Sequence, residues 1–137
     1  MLLDRLVVAY TTAGNHGLGW VALGATQPRP LRTAVAVWGT LAANYGVKLA
    51  VDRERPAAAD AMIRLPSSSS FPSSHAAMST AAAIVLSQAR PQLAPLWAVL
   101  AGAMCLSRLY VGAHHAGDVA AGVALGAVTG GIAVAVS

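Results

Sequence analysis

Charge is what this sequence has least of: nine lysines and arginines and five acids in 137 residues, a tenth of the chain, against 56% apolar residues. A small soluble domain carries both charge signs over roughly a quarter or more of its surface, so a water-exposed globule is excluded and lipid is the fitting solvent. With one cysteine, Cys105, there is no internal disulfide, and its place in an apolar run reads as packing. The basic residues give a net charge of +4 but never run together, which argues against a nucleic-acid face. The opening MLLDRLVVAY lacks a positive flank, a long uninterrupted apolar region and a small-residue cleavage pattern, so the first helix is expected to stay.

What is present is a series of apolar segments at about Leu18 to Thr26, Leu31 to Val51, Ala76 to Ala89, Leu93 to Leu109 and Val119 to Val136, divided by Pro, Gly or charged clusters. Each crossing needs about 20 mostly apolar residues. The chain therefore reads as one membrane-embedded domain over 1–137, an all-α polytopic helix bundle with about five spanning helices. Alanine and glycine make poor strands but good helix interfaces, because small residues let backbones approach closely in a bilayer.

The first segment has two readings, since Thr11, Thr12, Asn15 and His16 would be costly facing lipid. In one, a tilted helix from Leu3 to Ala25 turns them toward the bundle. In the other, which the apolar face of Leu2, Leu3, Leu6, Val7 and Tyr10 favours, Leu2 to Ala13 lies on the interface and Asn15 caps a short span.

Counting crossings places the end of the second segment, the start of the third, the end of the fourth and the start of the fifth on one face. Every unusual polar cluster lies at one of those ends. Lys48, Arg53, Arg55, Arg64 and Arg108 outnumber nearby carboxylates, and such a site wants an anion. Phosphate fits best, because guanidinium forks match its oxygens and the helix start at Pro72-Ser73-Ser74-His75 offers backbone N–H groups and a favourable dipole. His114 and His115 stand four and three residues before Asp118, so by helical spacing either could pair with the carboxylate and act as nucleophile or base. Metal ligation by His114, His115 and Asp118 is the rival; zinc sites built that way space their histidines more regularly. The connection Asp52 to Phe71, with its low-complexity run Ser67 to Ser70, must lie outside the hydrocarbon, and Asp52, Glu54 and Asp60 read as solvated charges.

These residues resemble the signature of the type 2 phosphatidic acid phosphatase superfamily, the lipid phosphate phosphatases: K-x6-RP, then PSGH, then SR-x5-H-x3-D. Lys48-(LAVDRE)-Arg55-Pro56, Pro72-Ser73-Ser74-His75 and Ser107-Arg108-(LYVGA)-His114-(HAG)-Asp118 fill the three blocks in order, with Ser74 standing where the pattern has glycine. The resemblance implies a metal-independent, cofactor-free phosphatase acting on a lipid phosphate through a phosphohistidine. Its implied roles are His114 as nucleophile, Asp118 as its orienter, and His75 as acid and then base. Lys48, Arg55, Arg108, Ser73 and Ser74 would hold the phosphate. The implied substrates run from phosphatidic acid and phosphatidylglycerol phosphate to prenyl diphosphates and prenyl-phosphoryl sugar phosphates; the compact chain favours a polyprenyl-linked one. A vanadium haloperoxidase resembles the same site but is larger and soluble, and a non-catalytic anion binder or transporter is the reading from another class. The far-side loops hold Arg29, Arg32 and Arg90 against Arg5, Arg53 and Arg64 on the motif face, a tied positive-inside count; the absence of acids from the far loops favours an extracytoplasmic site, and no pattern sets an oligomeric state.

Overall fold

A computed structural model describes every residue from Met1 to Ser137 and contains helices and no strand. The α-helices are α1 (Leu2–Ala13), α2 (Leu18–Ala25), α3 (Pro30–Ala50), α4 (Ser74–Ala89), α5 (Ala94–Tyr110) and α6 (Ala116–Ala135), with 3₁₀ turns at Asn15–Gly17, Ala58–Asp60 and Pro91–Leu93. Local chemistry sets the starts. Proline occupies the first turn of α3 and of α5, where its missing N–H costs nothing. Ser73 caps α4 by accepting the Ala76 N–H at 3.3 Å, and the Asp118 carboxylate closes the start of α6 by accepting the His115 N–H at 2.8 Å.

The first segment takes something from both expectations. Helix α1 ends at Ala13 as the two-piece reading has it, but it does not lie apart on the interface. Tyr110 donates to Asp4 at 2.8 Å and Tyr10 donates to the Leu100 carbonyl at 2.5 Å, so α1 runs antiparallel along α5. Nor does Asn15 cap α2: Gly17, in the left-handed region at φ 71°, stands at that position with no side-chain cap. The reason is polar satisfaction. Thr11 is buried and accepts a hydrogen bond from Arg108, an attraction that an interfacial helix could not supply. Helices α1 and α2 thus form one path broken at Asn15–Gly17, and α2 alone, with 8 residues, would reach only about 12 Å.

Helix α4 is the centre of the bundle, packed against α3, α5 and α6. One side of it, with Met78, Ala82, Ala83 and Leu86, joins Trp20, Val37, Trp97 and Ala101 in the main apolar core, where Trp20 Nε1 donates to Ser79 Oγ at 2.9 Å. The other side receives α6. The stripe Asp118, Gly122, Gly126, Gly130 turns inward as its four-residue spacing requires, and all four residues are buried. A Cβ on Gly122 would lie 2.5 Å from the Ser73 carbonyl oxygen, and one on Gly130 would lie 2.9 Å from Ala81 Cα. The small surface that accepts this stripe is Ser73, Ala76, Ala77, Thr80 and Ala81. Ser79, Ala82 and Ala83, also small, face the tryptophans instead; at 100° per residue Ser79 lies about 200° round the helix from Ala77 and Ala81.

By length and composition, Pro91–Tyr110 and Ala116–Ala135 are long and apolar enough to cross a membrane, with mean hydropathy of 1.4 and 1.7. Five independent spans are not reached on that measure, because α1, α2 and α4, with 12, 8 and 16 residues, are short and α3 carries polar groups.

Candidate active site

Four helix ends and one loop converge. Lys48 closes α3, Ser73, Ser74 and His75 open α4, Arg108 lies in the last turn of α5, and His114 and Asp118 flank the start of α6. Arg55 comes from the connection between α3 and α4, which folds back over them. Of the residues singled out by sequence, Arg55, Arg64, Ser74, His75, Arg108 and His114 line one cavity of about 370 Å³, whereas Lys48, Ser73 and Asp118 are buried outside its lining. No carboxylate lines that cavity.

The serine run, legible in sequence only as low complexity, is the frame of the site. Its backbone carbonyls take the cations and the histidine in succession: Arg55 Nε donates to Ser68 O at 3.1 Å, Lys48 Nζ to Ser69 O at 2.6 Å, and His114 Nδ1 to Ser70 O at 2.8 Å. The run itself is held by Ser70 N donating to Arg53 O at 2.9 Å and by Ser69 Oγ donating to Val51 O at 2.6 Å. Backbone oxygens leave no trace in a side-chain motif; the only available signal was that the run leads directly into Pro72-Ser73.

The partner of His114 sets its tautomer. A carbonyl can only accept, so Nδ1 carries the proton and Nε2 presents its lone pair. That lone pair lies 3.3 Å from Arg55 Nη1, a guanidinium donor. Asp118 is 3.8 Å from His114 Nδ1, beyond hydrogen-bond reach, and instead accepts from Arg53 Nη1 at 3.1 Å and from the His115 N–H. His115 turns elsewhere, with Nε2 3.3 Å from the Glu54 carbonyl. The three side chains of the metal rival therefore do not converge, and no group of three or more His, Cys, Asp or Glu forms a cage.

Arg108 is 2% exposed, donates from Nη1 to Thr11 Oγ1 at 2.8 Å, and has a buried Nε with no protein partner. A buried guanidinium with spare donors at a cavity wall has capacity for an anion. Across the cavity, His75 Nε2 is 3.0 Å from Asn15 Oδ1, so the break between α1 and α2 brings Asn15 to the histidine instead of to the helix start. Asn44, fully buried, is the other residue missed by sequence: its Oδ1 accepts from Ser74 Oγ at 2.7 Å and its Nδ2 donates to Pro72 O at 3.3 Å. It lies one turn before Lys48, and a buried amide in an apolar helix was a readable signal. Ser74 is accommodated for a plain reason: it is the first residue of α4 and has no positive φ, so no glycine is required there.

Burial first, and then the charges of Arg108, Arg55 and Lys48, push the His114 pKa down to about 2. The folded chain thus keeps this imidazole neutral, while the unfolded chain protonates it below its ordinary value near 6.5. Its contribution to stability is full above about pH 6.5 and is lost as pH falls, amounting to about 2 kcal/mol between pH 7 and pH 5. Melting in detergent should show that acid slope in wild type and a shallower one in His114→Gln; parallel slopes would refute the depression.

Residues 29–137 match the model of the PAP2 superfamily, most of the chain and all three signature blocks. The chain belongs to the PAP2 superfamily. The decaprenylphosphoryl-5-phosphoribose phosphatase of Mycolicibacterium smegmatis is 42% identical over 119 residues, a match covering 80% of this chain and 65% of that protein, a little under two thirds of its length. The protein of the same name from Mycobacterium tuberculosis H37Rv is 40% identical over 129 residues, covering 87% and 72%. Two crystal structures share the fold. The transmembrane PAP2-type phosphatidylglycerolphosphate phosphatase of Bacillus subtilis superposes with a TM-score of 0.80 at 21% identity, covering 98% of this chain and 76% of that one. LpxE of Aquifex aeolicus gives 0.83 at 23% identity, covering 98% and 86%. The PAP2 fold and the all-helical expectation therefore stand together, and two helices of the chain are long and apolar enough to cross a membrane.

Proposed function

We propose that this PAP2 chain is a membrane phosphatase that removes the terminal phosphate of a polyprenyl-linked phosphoryl sugar phosphate without a metal. The observation that carries the reading is His114: a neutral imidazole fixed through Nδ1 by the Ser70 carbonyl, its Nε2 lone pair facing a cavity that has Arg55 and Arg108 in its wall and no acid. The names of the mycobacterial relatives support the substrate class.

In this mechanism the substrate phosphate takes the guanidinium of Arg55 away from His114 and engages Arg108, with Lys48 behind them and the α4 start at Ser74 and His75 supplying N–H groups. His114 Nε2 attacks phosphorus in line, the P–O bond to the sugar breaks, and His75 gives the leaving oxygen a proton. Water, deprotonated by His75, then attacks phosphorus; the P–N bond breaks and phosphate leaves. Asp118 is a positioning residue: through the His115 N–H and Arg53 it joins the start of α6 to the loop whose carbonyl holds His114. The broken α1–α2 path and helices α3 to α6 make five crossings in this reading, with the site on the extracytoplasmic face.

The test is phosphate release in detergent with EDTA from a panel of prenyl-phosphoryl sugar phosphate, prenyl diphosphate, phosphatidic acid and phosphatidylglycerol phosphate. The sugar phosphate should give the highest kcat/KM, and vanadate, which mimics five-coordinate phosphorus, should compete. No release from any lipid would leave a non-catalytic anion-binding protein; activity lost on chelation would establish a metal dependence.

A further inference from the structure

The phosphate residues fill only part of the cavity. Its volume, about 370 Å³, is in the range of small-molecule pockets, and a single phosphoryl group is far smaller. A third arginine lines it: Arg64, exposed, from the loop that leads to α4. The ion pairs of the chain are Met1 with Asp4 and Arg53 with Asp118, so Arg64 has no carboxylate, its near neighbour Asp60 included. Nor does it sit on a loose loop. Two residues before it, Met62 N donates to Val111 O at 3.0 Å, on the turn that leads to His114; four residues after it, Ser68 O accepts from Arg55. A residue pinned on both sides in a cavity wall is held there, unlike an arginine at a helix end that snorkels to headgroups. Tyr45, on α3 one turn before Lys48, lines the same cavity and is 48% exposed.

We infer that Arg64, with Tyr45 of the same cavity wall, is a second anion subsite that takes the phosphodiester of a lipid-linked sugar phosphate while His114 acts on its terminal monoester. The inference rests on the phosphatase reading above and adds a reason for its substrate preference. A phosphodiester carries one negative charge one sugar away from the reacting phosphorus. Arg55 and Arg108 serve the reacting phosphate, and Arg64 is the remaining cation in the lining. A substrate with one phosphate leaves Arg64 idle; a substrate with two engages it. Because the diester does not change charge during hydrolysis, its binding is uniform between ground and transition states and appears in KM.

The experiment compares wild type, Arg64→Gln and Arg64→Lys on a prenyl-phosphoryl pentose phosphate and on a prenyl monophosphate of equal tail length, in one detergent. For Arg64→Gln, KM for the two-phosphate substrate should rise about tenfold with kcat within about twofold, as expected for losing one charge-assisted contact. KM for the monophosphate should not move, and Arg64→Lys should recover part of the loss. Equal changes on both substrates would mean a general field effect, and no change on either would mean an idle surface charge; either result overturns the subsite. Wild type inactive on both lipids would instead overturn the phosphatase reading itself, and the subsite with it. Melting temperatures within about 2 °C of wild type would confirm that the variants are folded.

Discussion

Replacing His114 with alanine is expected to lower kcat by about 10⁴-fold or more, while His115→Ala stays within about fivefold of wild type. The two histidines are adjacent, and helical spacing to Asp118 treats them alike. Their partners do not. His114 is 5% exposed, gives its Nδ1 proton to the Ser70 carbonyl and turns Nε2 to the cavity. His115 is the residue before α6, it is not in the cavity wall, and its ring ends at the Glu54 carbonyl, which removing the imidazole leaves to solvent. Phosphate release measures the first effect, and acid-quenched protein from a labelled substrate should hold phosphate in wild type and His115→Ala but not in His114→Ala. Because Arg55, Arg108 and Lys48 survive in His114→Ala, its substrate binding should persist, and vanadate should still bind. Comparable losses in the two variants would overturn the assignment.

The two histidines also show how far the sequence could be read. Blocks of charged side chains at fixed spacing were legible, because helix ends at one face must gather Lys48, His75, Arg108 and His114 whatever the detailed packing. The partners of those side chains were not. A pattern of residue types suggested that Asp118 orients His114, whereas the nearer acceptor is a backbone oxygen, and any residue at position 70 would have one. The low-complexity serines looked like filler because no spacing marks them; the Ser69 hydroxyl ties the run to the end of α3 and their carbonyls hold Lys48, Arg55 and His114 in register.

The first segment shows the same limit from the other direction. Thr11 and Asn15 were recognised as costly in lipid, and the cost is met by Arg108 and His75, partners roughly 60 to 100 residues away that local periodicity cannot see. Periodicity did see the break: His16 at φ 54° and Gly17 at φ 71° end one helical direction and start another. By joining two short helices with a polar turn, the chain can bring Asn15 to His75 at the start of α4 and keep apolar faces outward on both sides.

Gly126→Ala is expected to cost about 3 kcal/mol or more, whereas Gly131→Ala, five residues on, should be neutral or slightly stabilising. A Cβ on Gly126 overlaps the Ala77 carbonyl oxygen and comes within 2.8 Å of Thr80 Cβ and 3.0 Å of the Ala77 carbonyl carbon. Two of these three atoms are backbone of the central helix and cannot rotate away, so α6 must move off α4. A Cβ on Gly131 meets nothing within 4 Å. The displacement would reach the chemistry, because α6 begins with the Asp118 latch and α4 with Ser73 and His75, tied by Ser73 N donating to Asp118 O at 2.9 Å. Activity of Gly126→Ala should therefore fall about tenfold or more even well below its melting temperature, while Gly131→Ala keeps wild-type rates. If the glycine stripe were only a lipid-facing thin surface, both substitutions would behave like Gly131→Ala; thermal melts and phosphate release on the pair, in one detergent, separate the two cases.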